Sequence, residues 1–366
     1  MFAYARYYLT PLLAPSVLAG ILLGGHWMWL GISVILMVLI GGDVIFGKDS
    51  SQPKYAHPRL VEVPLHLALP FLTILLVALA WSAGSGSSDS PGIAGWLGNF
   101  FGYDFLAARN TNSWVDHLGG VLGVGFLTAG YGINAGHEFT HRITSRWAMI
   151  EGRWLLAMSC TANFSIEHVY GHHVRVGTDA DPATARRGEN VYAFFLRSSI
   201  MGHASAWGLE RERLRAKKQL VPSWHNRILR GYLMGACWMG GSFVLGGPLG
   251  LFLFLGQSLF AKFILEVVNY MEHYGLRRNP DEPAGPQHSW NTNQRISEMV
   301  LFSLTRHSAH HERPSVPFWK LDAYPDSPEM PHGYLTTIVL TLVPPLWKRI
   351  MSPRLAEWDE KYGIVE

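Results

Sequence analysis

Four stretches of this chain, residues 7–42, 63–88, 117–137 and 231–261, contain no Asp, Glu, Lys or Arg; they run 36, 26, 21 and 31 residues. A helix needs about 20 mostly apolar residues to cross a bilayer, so each stretch is long enough to span one. The gaps account for a charged share of only 16% over 366 residues, against about 25% in soluble domains. A soluble globule is excluded. So is a β-barrel, whose strands would alternate polar and apolar residues with period two. Two cysteines in separate segments, Cys160 and Cys237, exclude a disulfide framework.

The first stretch holds two helices, about 8–24 and 27–46, with Gly24-Gly25 as the turn. A third is expected at about 64–82, opening on Pro64 and closing in the flexible stretch from Gly84 to Ser88. A fourth is expected at about 116–137. The last stretch is broken at Gly246-Gly247-Pro248 and reads as an antiparallel pair, about 228–246 and 249–271. The expectation is therefore an all-α integral membrane protein with six transmembrane helices and both termini cytoplasmic. Of the 30 Lys and Arg residues, only Arg109 then lies on the outer side, with Lys262 well inside a span and Arg230 in the first turn of one at its inner end, as the positive-inside rule requires. Residues 138–227 and 272–366 form a cytoplasmic, histidine-rich cap, and 1–366 is a single membrane-embedded domain. Residues 146–166 and 334–350 are apolar but interrupted, and interfacial or re-entrant helices are expected there.

The 17 histidines are unevenly spread. His137 and His141 end the fourth helix four residues apart, so their imidazoles can share one metal ion. His168 and His172 have the same spacing, with His173 about 100° further round, placed for a second ion or to close the first shell. His273 ends the sixth helix. In the last cluster, His310 and His311 both return to the side of His307. Nine imidazoles are too many for one ion, whereas two irons would use all nine and keep open positions for dioxygen. Imidazole also suits copper, nickel and zinc, so the argument for iron rests on placement beneath an apolar bundle, where an oily substrate arrives from the bilayer.

The segments around these histidines resemble the bacterial integral-membrane alkane 1-monooxygenases, of the membrane non-haem diiron oxygenase and desaturase class. They include Gly171-His172-His173 followed by Asp181-Pro182-Ala183-Thr184 and Gly188-Glu189, then Trp207-Gly208-Leu209-Glu210. Asn269-Tyr270 through Leu276 and His288-Ser289-Trp290-Asn291 leading to Arg306-His307-Ser308 complete the likeness. Thr305 stands where that family usually has Gln, and Ala309 where it usually has Asp. The run from Arg6 to Asp49 is also similar to xylene monooxygenase hydroxylases, which keeps a methyl-aromatic hydroxylase open beside a fatty-acyl desaturase.

The resemblance implies two non-haem irons, dioxygen as co-substrate, and hydroxylation of the terminal methyl of a medium-chain linear alkane. It further implies a bacterial inner (cytoplasmic) membrane location with the site toward the cytoplasm. Electrons would come from a separate rubredoxin and its NADH-dependent reductase, since a rubredoxin centre needs four cysteine thiolates and this chain has two cysteines. A zinc protease would explain only His137-Glu138 and His141 and leave seven histidines idle. A metal transporter would spread its ligands along a path through the membrane. Nothing supports nucleic-acid binding, at a net charge of +3.

Glu138, Glu167 and Glu272 adjoin proposed ligands but point elsewhere on their helices, so they are expected to hold the free N–H of other imidazoles. Asp181 and Asn269 are expected in the same outer layer, whereas His288 reads as a plain loop histidine, with direct or outer-layer involvement in the last cluster as the alternative. Lys262 and Glu266, four apart inside a span, read as a structural ion pair rather than a proton relay. The basic run from Arg211 to Lys218 is expected to lie against anionic lipid, with docking of an acidic electron carrier as the sharper alternative.

Overall fold

The computed structural model describes residues 2–87, 89 and 92–362, and among these it is helical with no β-strand. Five helices are long and apolar enough to cross a membrane: α1 (Arg6–Leu23), α2 (Gly25–Phe46), α3 (Pro58–Ser82), α4 (Trp114–Thr140) and α8 (Arg227–His273). Between α4 and α8 lie α5 (Arg146–Ala157), α6 (164–175) and α7 (Val191–Ala216). After α8 come α9 (His307–Glu312), α10 (Tyr334–Thr341) and α11 (Pro344–Tyr362).

Helix α8 is a hairpin of two arms. Its backbone leaves the helical region at Gly247, with φ 62° and ψ −154°, and Pro248 starts the second arm. A Cβ on Gly250 would lie 2.5 Å from the Ser242 carbonyl oxygen. Residues eight apart on a straight helix are about 12 Å apart along its axis, so the arms must run back against each other.

Two expectations about α3 need correction. It begins at Pro58 rather than Pro64, which lies inside the helix, because Pro58 occupies the first turn, where a missing N–H costs nothing. The following Gly/Ser stretch is not a free linker. Arg109 donates to the Gly86 carbonyl at 3.0 Å and stacks over the Trp81 ring; Ser88 lies outside the described residues. The helices foreseen within 146–166 and 334–350 are each interrupted. The chain turns between Ala157 and Phe164, and again at Leu342-Val343 before Pro344.

The cap is tied to the bundle by buried polar contacts. Arg6 of α1 donates to Glu298 at 2.5 Å, and Thr10 donates to the Val300 carbonyl at 2.6 Å. Asp43 of α2 accepts from the Ser297 amide at 2.9 Å. Asn134 of α4 donates to the Leu301 carbonyl at 2.5 Å. Buried charge survives in such places only when paired. These contacts fix the 295–311 segment, and with it α9, against the ends of α1, α2 and α4.

Glu210 joins α7 to the start of α8. Fully buried, it accepts from Arg213 Nε at 2.8 Å, and from the Arg227 amide and Nε at 2.7 and 2.8 Å. Burial pushes its pKa up, but these hydrogen bonds outweigh it and hold the carboxyl down to about 2. The pair therefore stabilises the fold fully above the ordinary 4.5, and its contribution is lost as pH falls toward about 2. Glu210→Gln leaves two guanidiniums uncompensated and should cost about 3 kcal/mol, the low end for a broken buried pair because both arginines keep some solvent contact. Thermal unfolding in detergent at pH 7 reads this as a lowered midpoint, and the gap between variant and wild type should shrink at pH 3.

Candidate metal centre

All nine histidines of the four clusters converge, in two adjacent groups. The first contains His137, His141, His168, His173 and His310, the second His172, His273, His307 and His311; within each group the ligand atoms lie within 4.8 Å of one another. Helix α4 supplies His137 and leads into His141, α6 supplies three, His273 is the last residue of α8, and α9 supplies three.

Helical spacing foretold the pairing correctly at His137 and His141, whose Nε2 atoms are 3.3 Å apart. It failed on α6. Residues His168–His172 form a π-helical turn, whose hydrogen bonds span five residues instead of four. The residue five on therefore returns to the same face. His168 and His173 meet at 2.9 Å in the first group, while His172 turns to His311 in the second at 3.2 Å. On α9, His311 joins His307 at 3.0 Å as expected for a spacing of four, but His310 faces the first group, 3.0 Å from both His137 and His173. Adjacent residues on that short helix thus serve opposite groups.

These separations suit metal ions. Nitrogens about 2.1 Å from one ion sit about 3.0 Å apart at neighbouring corners of an octahedron, and about 3.4 Å apart on a tetrahedron. The observed Nε2–Nε2 contacts run from 2.9 Å between His168 and His173 to 3.3 Å between His137 and His141. Burial, and then the neighbouring imidazoles, hold His168, His173, His307, His310 and His311 well below the usual histidine range. They are neutral at pH 7 and offer lone pairs, as metal binding requires. Neutral imidazoles that aim lone pairs into one space repel each other, and a cation between them removes the repulsion.

Around the groups, Asp181 Oδ2 accepts from His172 Nδ1 at 2.9 Å and from the Thr184 hydroxyl at 2.7 Å. Burial raises the Asp181 carboxyl, but His172 and these hydrogen bonds outweigh it and bring it below the usual range. An ionised carboxylate there orients the imidazole and increases its basicity. Asp181→Asn should weaken metal binding in the second group about 10–100-fold. A chelator competition series comparing the two proteins measures this directly; equal retention would show that His172 needs no such orienter.

The three glutamates differ from expectation. Glu138 pairs with Arg142 at 3.1 Å and Glu167 with Arg175 at 2.8 Å, so these two hold guanidiniums instead of imidazoles. Glu272 does reach a histidine, but at the nitrogen that points into the group: its Oε2 is 3.2 Å from His307 Nε2. Its other oxygen accepts from the Tyr334 hydroxyl at 2.5 Å. Nothing in the sequence singled out Tyr334, which comes from a helix more than 60 residues away. Asn269 donates to Glu266 at 3.2 Å, and Glu266 pairs with Lys262 and accepts from Ser198 at 2.6 Å. His288 acts through its backbone, its carbonyl accepting from His273 Nδ1 at 3.5 Å, and its ring belongs to neither group.

A narrow apolar cavity opens beside the centre. Leu39, Phe126, Ile133, Ile264 and Ile338 line it, together with His137, His168, His307 and Glu272. The fold and site define a membrane-embedded protein whose histidine-rich centre faces a space shaped for an apolar molecule. A family model described as fatty acid desaturase matches residues 112–340, which include all nine histidines. The chain is 36% identical to alkane 1-monooxygenase 2 of Pseudomonas aeruginosa, over 93% of this chain and 88% of that protein. It is 31% identical to alkane 1-monooxygenase 2 of Alcanivorax borkumensis, over 96% and 89%. It is also 30% identical to the xylene/toluene monooxygenase hydroxylase component of Pseudomonas putida, over 98% and 90%. The chain belongs to the alkane 1-monooxygenase family, an enzyme family of the membrane diiron class.

Proposed function

We propose that this protein hydroxylates the terminal methyl group of medium-chain linear alkanes, with one iron held by each histidine group. The observation that carries the reading is the apolar cavity whose lining includes imidazoles of both groups. The relatives named as alkane 1-monooxygenases support the substrate class. The overall reaction consumes dioxygen, two electrons and two protons; one oxygen atom enters the substrate and the other leaves as water. Bound iron supplies the oxygen activation and C–H oxidation that no side chain can perform.

The chain's own residues bind, orient and exclude water. A slot walled by Leu, Ile and Phe admits an alkane end first and holds the inner methylenes away from the imidazoles. The Tyr334 hydroxyl donates to Glu272 Oε1, which fixes that carboxyl group with its second oxygen toward His307. In the second group, Asp181 and the His288 carbonyl orient His172 and His273.

The two arms of α8 are read as separate crossings. That gives six spans within one domain, both termini on the cytoplasmic side of a bacterial inner membrane, and 28 of the 30 basic residues facing inward. Electrons are assigned to a separate rubredoxin and its NADH-dependent reductase.

Metal analysis of protein purified without chelator should give about two irons per chain and little zinc. One zinc and no iron would overturn the reading. Product analysis with linear alkanes set against xylene then separates the alkane reading from the methyl-aromatic one. Robust NADH-dependent turnover with no added carrier would remove rubredoxin from the scheme.

A further inference from the structure

We propose that a second, lipid-facing groove between α4 and the second arm of α8 is the port through which the alkane reaches the cavity, with Phe260 as its gate. This rests on the hydrocarbon reading above. The groove is lined almost wholly by apolar side chains from Trp114 and Leu118 on α4 and from Leu249, Phe252 and Leu259 on α8. Trp114, Phe252 and Leu259 are 78%, 69% and 62% exposed, so the groove is open along its length.

Its occupant follows from continuity with the cavity that the imidazoles line. On α4 the groove-lining stripe reaches Val121 and Leu122, and the cavity-lining stripe resumes at Phe126 and Ala129. On α8 the groove reaches Phe260 and Phe263, and the cavity begins at Ile264 and Leu265. Steps of three and four residues keep one helix face. Groove and cavity therefore lie along a single seam between the same two helices, one turn apart on α4 from Leu122 to Phe126 and adjoining on α8 at Phe263 and Ile264.

Phe260 fills that turn. A Cβ placed on Gly125 would lie 2.9 Å from Phe260 Cδ1 and 2.9 Å from the Gln257 carbonyl oxygen. The ring rests on bare backbone beside Phe126, whose own side chain lines the cavity. Rotation of one partly buried aromatic ring therefore joins the two spaces without moving either helix. An alkane already dissolved in the bilayer would meet the groove without passing through water.

The test uses the full-length, iron-loaded protein in lipid nanodiscs and a linear alkane carrying a terminal diazirine, with crosslinked peptides mapped after illumination. Labels are expected both at Phe252–Phe263 and within 264–268, and excess unlabelled alkane should displace both. Phe260→Trp should slow cavity labelling by about an order of magnitude while groove labelling persists, since admission then waits on a rarer opening. Phe260→Leu should keep it at or above the wild-type rate, and unchanged iron content in both variants would show that the centre is intact. Cavity labelling indifferent to Phe260 overturns the port alone. Groove labels that alkane cannot displace overturn it too, by showing that the groove holds only bilayer lipid. A cavity that no alkane labels in any variant overturns the hydrocarbon reading itself.

Discussion

Replacing His310 with alanine is expected to lower bound iron by half or more and turnover by more than about a hundredfold, beyond the 10–100-fold typical of losing an outer-layer partner. His310 is the hinge of the first group: its Nε2 is 3.0 Å from that of His137 on α4 and 3.0 Å from that of His173 on α6. It thus ties α9 to both α4 and α6. Alanine opens one corner of the coordination shell and leaves the remaining imidazoles too mobile to hold the ion tightly. Iron per chain, measured beside activity, separates loss of metal from loss of fold. His288→Ala is the informative comparison, because the His288 carbonyl that accepts from His273 stays in place; iron should be retained and turnover should fall only a few-fold. Full iron and activity in His310→Ala would remove that residue from the ligand set.

The second large effect should come from the cavity with the metal centre untouched. A Cβ on Gly130 would meet Leu301 Cδ2 at 3.6 Å and Phe126 Cε1 at 3.8 Å. Both are ordinary contacts for a Cβ, and the remaining carbons of Gly130→Leu are expected to occupy the space that Gly130 lines. Iron content should not change. The longest alkanes accepted by the wild type should lose about tenfold or more in kcat/KM, since one methylene's misfit is worth about 1–3 kcal/mol in an apolar site. Shorter alkanes should be affected least. A chain-length series with both proteins reads the result, and an equal loss at every length would mean that the residue disturbs the centre instead of shortening the slot.

Several parts of this protein were legible without coordinates because they follow from local chemistry. A segment without charge for 20 or more residues can be stable only in a bilayer or a large core. Gly-Gly-Pro in the last such segment cannot continue a helix, and α8 folds back there. A spacing of four brings His137 beside His141 and His307 beside His311, since α-helical geometry needs no knowledge of the rest of the chain. The family likeness lies in the same residues.

What the sequence could not decide was how those residues are shared. The π-helical turn at His168–His172 inserts one residue into the period. That sends His172 to one group and His168 with His173 to the other. Such a turn costs helix hydrogen bonding and persists through packing around it, so local pattern gives no warning of it. Glu272 likewise acquires its neighbours from distant segments, Tyr334 on α10 and His307 on α9, which meet only once the cap is seated on the bundle. The cavity is a property of packing alone, since its walls come from α2, α4, α8 and α10. Sequence by itself determined which side chains could bind metal and which segments could enter a membrane, because both depend on residue type and short-range spacing. Tertiary structure decided which imidazoles act together and what space they face, because those depend on contacts between residues up to about 300 positions apart, as between Arg6 and Glu298.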